Sequence, residues 1–112
     1  MSPHDRWRLQ HMIEAAESTQ KFIAGRKRAD LDRDQMLVFA IVRAVEIIGE
    51  AASKISEETR ISHPAIPWKA IIGMRNRLVH AYFDIDVSIV WVTVTEELPG
   101  LLSQLKALAA SD

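Results

Sequence analysis

The sequence predicts an all-α protein, a bundle of amphipathic helices, on three observations. Between Gln35 and Ile55 there is no proline, and Met36, Leu37, Ala40, Ala44, Ile47, Ile48, Ala51 and Ile55 form a broad apolar stripe at helical spacing. Leu101, Leu102, Leu105 and Leu108 repeat that pattern near the C-terminal end. The one stretch with strong β propensity, Val87 to Thr95, has no second strand elsewhere in the chain to pair with, and a lone strand is not stable.

Each element follows from local chemistry. Ser2-Pro3 opens the first helix, since serine caps an orphan amide and proline pre-sets φ at the first helical position. Met12, Ile13, Ala16, Phe22 and Ile23 keep helical spacing, and Gly25 with Arg26-Lys27-Arg28-Ala29-Asp30 marks a stop and a solvated loop. Asp32 or Asp34 is placed to open the second helix. Gly49 inside that helix costs roughly 1 kcal/mol relative to alanine, which points to close approach by a neighbour.

Glu57 to Pro67 reads as a polar connection, because His63 and Ile66 each precede a proline and are biased away from helical geometry. Pro67 then serves as the first residue of a third helix expected to run unbroken through Trp68, Ile71, Ile72, Arg75, Val79 and Tyr82. Val87 to Thr95 is read as a buried helix, capped near Asp86 and bent or interrupted at Pro99.

A chain of 112 residues builds one core and not two, so a single domain over 1–112 is expected. With no cysteine, a disulfide framework and thiolate metal sites are excluded. No apolar stretch has the length of a secretion signal or a membrane span, which makes a cytoplasmic location the expectation. The net charge of −1 excludes a general nucleic-acid coat, leaving only local contacts through Arg26-Lys27-Arg28 or through Arg75 with Arg77. His4, His11 and His63 are scattered without metal-site spacing, so neither metal nor cofactor is expected.

The run Arg75-Asn76-Arg77-Leu78-Val79-His80-Ala81-Tyr82 holds the candidate chemistry. On a regular helix Arg75 and Tyr82 share a face, Asn76 and His80 are neighbours, and His80 is rotated by roughly 140° from Arg75. Convergence of Arg75 and His80 then requires either a helix end near His80 or a second copy of the motif across a two-fold interface. Histidine to move protons and arginine to hold phosphoryl charge suit metal-free RNA cleavage, in which the substrate's 2′-hydroxyl is the nucleophile. The spacing alone equally describes solvated arginines, a partly buried histidine and a core tyrosine.

The segment Ile66-Pro67-Trp68-Lys69-Ala70-Ile71-Ile72-Gly73-Met74-Arg75-Asn76-Arg77-Leu78-Val79-His80-Ala81-Tyr82 resembles the HepT-like branch of the HEPN superfamily, whose hallmark is Arg-x4-His-x-Tyr with a polar residue after the arginine. The similarity continues through Ala44-Val45-Glu46-Ile47-Ile48-Gly49-Glu50-Ala51-Ala52, Val90-Trp91 and Leu98-Pro99. The resemblance implies a HEPN-type antiparallel helical bundle that forms a homodimer, with both motifs lining a shared cleft. It implies a metal-independent endoribonuclease toxin, with Arg75 and His80 catalytic and RNA as substrate. It implies as partner an MntA-type nucleotidyltransferase antitoxin that adenylylates Tyr82. The rival from another class is a non-catalytic HEPN domain that binds nucleotides or scaffolds a nucleotidyltransferase; intact Arg75 and His80 favour the enzyme.

Supporting positions are Asn76, Glu46 and Glu50, with Arg77 as an RNA contact. Glu46 and Glu50, flanked by Arg43 and Lys54, form an ordinary ion ladder on a helix surface. Alternatively, one of them reaches the motif and orients Arg75 or His80.

Overall fold

A computed structural model describes residues 1–81 and 84–111. Tyr82, and with it every expectation about that side chain, lies outside the described residues. The all-α expectation holds. The helices are α1 (Pro3–Ile23), α2 (Asp30–Arg33), α3 (Gln35–Lys54), α4 (Glu57–Ser62), α5 (Trp68–Ile72), α6 (Met74–Leu78), α7 (Val87–Val92) and α8 (Leu98–Ser111). Between α6 and α7 lies a short antiparallel hairpin of β1 (Val79–Ala81) and β2 (Asp84–Ile85), with Val79 opposite Ile85.

The predicted caps form. Ser2 accepts from the Asp5 amide at 3.1 Å, Asp34 from the Leu37 amide at 3.0 Å and Asp86 from the Ile89 amide at 3.1 Å. Gly25 supplies the left-handed turn after α1, at φ +75°. The basic loop behind it is tied to acids, Arg26 to Asp34 at 3.3 Å and Arg28 to Asp32 at 3.0 Å.

The core is built on α1 and α3, with α8 packed on α1 and with α5 and α6 packed on α3. Leu9, Met12, Ile41, Val45, Ile48, Ile71, Leu78, Val90, Val94, Leu98 and Leu105 are each at most 1% exposed. Burial of such a side chain is worth roughly 1.5–3 kcal/mol. Val90 and Val94, both fully buried, thus hold their segment in the core as helix against a β propensity that tertiary context overrides.

Three expectations need correction. The connection from Glu57 onward is not irregular throughout: Ser56 accepts from the Thr59 amide at 3.3 Å and starts α4. The interruption expected at Pro99 comes earlier, as a π-helical segment over Thr93–Glu97, where the Leu98 amide reaches back to the Thr93 carbonyl. In that pattern the next amide would serve Val94, but Pro99 has none, and the Gln20 side chain from α1 donates to the Val94 carbonyl instead, at 3.0 Å. Third, the expected continuous third helix is two short ones. Gly73, at φ −88° and ψ 0°, separates α5 from α6, and α6 stops at Leu78 because Val79 turns to extended geometry, φ −125° and ψ 110°. The extended turn lets Val79 and Ile85 both pack against the core, while the Asp86 amide takes the Leu78 carbonyl at 2.8 Å.

Gly49 behaves as expected. A Cβ there would sit 3.2 Å from the Ile72 carbonyl oxygen and 3.3 Å from that of Ile71, so the C-terminal end of α5 rests directly on α3.

Asp5 joins α1 to α4. Only 2% exposed, its carboxylate accepts from the Ser56 amide at 2.9 Å, the Ser56 hydroxyl at 2.6 Å and the Thr59 hydroxyl at 2.7 Å. Burial pushes its pKa up, but the Ser56 and Thr59 hydrogen bonds together outweigh burial and hold it below the ordinary carboxylate value. A depressed folded-state pKa stabilises the fold above the unfolded value of about 4, and that stabilisation is lost as pH falls toward the folded value. Asp5→Asn is therefore expected to destabilise the protein by about 1–3 kcal/mol at neutral pH, with the difference from wild type shrinking below about pH 4. Urea unfolding across that range measures it, and a difference independent of pH would refute the carboxylate's role.

Candidate functional site

The motif residues sit where α6 ends and the hairpin begins. Arg75 lies on α6, held from the side by α3, with its Nε 3.5 Å from Glu46 Oε2. Its Nη1 donates to Asn76 Oδ1 at 3.4 Å. Glu46 uses its other oxygen on Arg43, which donates to Oε1 at 2.8 Å, and Arg43 Nη1 also lies 3.7 Å from Glu50 Oε1. The hydrogen bond to Glu46 holds the Arg43 guanidinium above its ordinary pKa against a burial penalty, with the charges of Glu50 and Glu46 adding to the rise. Arg43 thus pairs with both glutamates, as in the expected surface ladder, and Glu46 also reaches Arg75.

Arg75 and Glu46 are 43% and 34% exposed, and pairs in water at that level contribute at most about 1 kcal/mol. Their consequence is geometric. Glu46 sits at Nε and Asn76 at Nη1, and a guanidinium has further donors in a fork that matches the oxygens of a phosphate.

His80 is not on a helix. It lies on β1, so the face-sharing of Asn76 with His80 expected on a regular helix does not apply. The helix end near His80, one of the two conditions for convergence with Arg75, is present. The His80 Nε2 lies 3.7 Å from Asp86 Oδ2, and the ring is half exposed. Asp86 was legible from sequence only as the cap of α7. Arg77 turns away toward Glu97 of the π segment, at 3.3 and 3.5 Å, and ties α6 to it.

The other histidines are elsewhere. His4 Nδ1 lies 3.9 Å from Asp5, His11 packs against the Trp7 ring at 4.3 Å, and the His63 carbonyl accepts from the Trp68 indole at 3.0 Å. Among the described residues no three metal-binding side chains cluster, and no helix is long and apolar enough to cross a membrane.

Beside the hairpin, Leu31, Arg33, Gln35, Val38, Phe39 and Ile85 border an open depression of about 510 Å³. Phe39 and Met36 are 53% and 82% exposed on the α3 face that carries Arg43, Glu46 and Glu50 about one to four turns on.

The model of the family described as "Ribonuclease HepT-like" matches residues 12–108. A Thermococcus cleftensis protein provisionally named ribonuclease HepT is 39% identical over 100 residues, covering 89% of this chain and 91% of its own length. A Caldanaerobacter subterraneus subsp. tengcongensis protein provisionally named an RNase is 38% identical over 100 residues, 89% of either chain. A Methanocaldococcus jannaschii protein, also provisionally an RNase, is 34% identical over 98 residues, covering 88% of this chain and 90% of its own. No solved structure gives a significant match. With the hallmark residues in its sequence, an all-α fold, and a family match over most of its length, this chain belongs to the HepT-like ribonuclease family of the HEPN superfamily.

Proposed function

We propose that the chain, as a single domain over 1–112, is a cytoplasmic metal-independent endoribonuclease and the toxin of a two-gene module. The observation that carries this reading is Arg75 steadied by Glu46 and Asn76 near the start of the short helix α6, with His80 just beyond that helix on the hairpin. Arg75 binds the scissile phosphate and stabilises its developing charge, while Arg77 would have to leave Glu97 to assist at the RNA backbone. His80 takes the proton of the substrate 2′-hydroxyl, whose oxygen then attacks phosphorus. The bond from phosphorus to the 5′ oxygen breaks as that oxygen gains a proton, leaving a 2′,3′-cyclic phosphate and a free 5′-hydroxyl. No activated water is needed, hence no metal.

Arg75→Ala and His80→Ala are each expected to reduce cleavage of a mixed-sequence RNA at least about 100-fold without changing helicity or melting temperature, because both side chains are solvent-exposed. Wild-type cleavage should persist in excess EDTA. Full activity in both variants would refute the roles given to Arg75 and His80, a wild type that leaves RNA uncut would favour the non-catalytic scaffold reading, and loss of cleavage in EDTA would refute metal independence.

The second protonation site is supplied by a second copy of the chain, docked through the α3 face of Met36 and Phe39. Exposed apolar groups of this size on the same face as Glu46 support that surface, and its pairing brings two motifs toward one cleft. Sedimentation should show a dimer at micromolar concentration, and Phe39→Glu should yield monomer with cleavage lost. An active monomer would overturn the shared cleft.

The partner is an MntA-type nucleotidyltransferase that silences the toxin by attaching adenylate to Tyr82. A phosphate so close in sequence to His80 opposes RNA phosphates by charge and bulk. Co-expression should add adenylate mass to the Tyr82 peptide, and Tyr82→Phe should escape silencing. Neutralisation without any mass change would replace modification with occlusion.

A further inference from the structure

Asp86 is held in place twice before it touches His80. Its amide donates to the Leu78 carbonyl at 2.8 Å, closing the base of the hairpin, and its Oδ1 accepts from the Ile89 amide at 3.1 Å, capping α7. Those two bonds fix the carboxyl group and leave the second oxygen, Oδ2, without a part in the cap. That oxygen lies 3.7 Å from His80 Nε2.

We propose that Asp86 is the positioning residue for His80, orienting the imidazole through Nε2 so that Nδ1 is the atom that takes the substrate proton. The inference rests on the reading of His80 as general base and names the group behind it. A carboxylate beside Nε2 holds the neutral ring's proton there and steadies the imidazolium once Nδ1 is protonated. The separation exceeds a tight hydrogen bond, as is common in sites without substrate, and a small ring rotation closes it. With His80 51% and Asp86 34% exposed, water weakens the pair, so the expected effect is smaller than the roughly 10⁴-fold of a buried triad aspartate.

The discriminating variant is Asp86→Asn. Asparagine caps a helix as well as aspartate, so α7 keeps its start. With its oxygen on the Ile89 amide, its NH2 group faces Nε2 and favours the opposite tautomer, with the proton on Nδ1 where the base is needed. Nitrogen-15 NMR of the neutral imidazoles, with His80 assigned by comparison with His80→Ala, should show protonated Nε2 in wild type and protonated Nδ1 in Asp86→Asn. On a mixed-sequence single-stranded RNA oligonucleotide, kcat should fall about 10- to 100-fold with KM and melting temperature unchanged. A folded Asp86→Asn protein with wild-type tautomer and wild-type kcat overturns the proposal and leaves Asp86 as a cap alone. If the wild type leaves RNA uncut, the ribonuclease reading falls by itself, and the tautomer comparison still decides whether Asp86 governs His80.

Discussion

A Cβ on residue 49 would come within 3.2–3.3 Å of two consecutive carbonyl oxygens, Ile72 and Ile71, and the arrangement of the motif depends on that space being empty. The missing side chain lets the end of α5 lie against α3. Gly73 then redirects the chain into α6, so that Arg75 arrives beside Glu46, one turn before Gly49 on α3. The helical penalty of the glycine, about 1 kcal/mol, is offset by what the contact admits: Ile71 and Met74, buried at 1% and 4% exposure on either side of the junction. One residue without a side chain thus couples the central packing of the bundle to the position of Arg75.

The C-terminal part of the chain solves a related problem. Pro99 cannot donate to the backbone, and the π segment before it shifts the ladder so that the Val94 carbonyl is left for the Gln20 side chain. The buried stripe of Val90, Val94, Leu98, Leu101, Leu105 and Leu108 continues through the irregularity. Glu97, carried on that segment, faces Arg77, so the irregular turn also braces α6 from the side opposite α3.

The polar side chains divide by burial into those that stabilise and those that aim. Asp5 is almost fully enclosed and its carboxylate receives three hydrogen bonds, which makes it part of the fold's energetics. The pairs Arg75 with Glu46, Arg77 with Glu97 and His80 with Asp86 are all exposed by a third or more, where ion pairs contribute little to stability. Their effect is to restrict side-chain orientation where the chain changes from helix to hairpin. A site of this kind can be altered without unfolding the bundle.

Periodicity in the sequence determined the all-α class, the extent of α1 and α3, the caps Ser2, Asp34 and Asp86, and the helical state of the β-rich segment, because these depend on spacing and nearest-neighbour chemistry alone. The motif was legible as a set of residues, and Gly49 as a place of close approach. The break at Gly73, the helix end at Leu78 and the hairpin after it were not. Local propensity permits a helix from Trp68 onward, and the chain leaves it because α3 receives the α5 carbonyls and the core receives Val79 and Ile85. The pairing of Asp86 with His80 likewise exists only once β1 and β2 fold back on one another and the Asp86 amide closes on Leu78. Tertiary packing chose between helix and hairpin there because the two differ little in local energy and much in the apolar surface they bury.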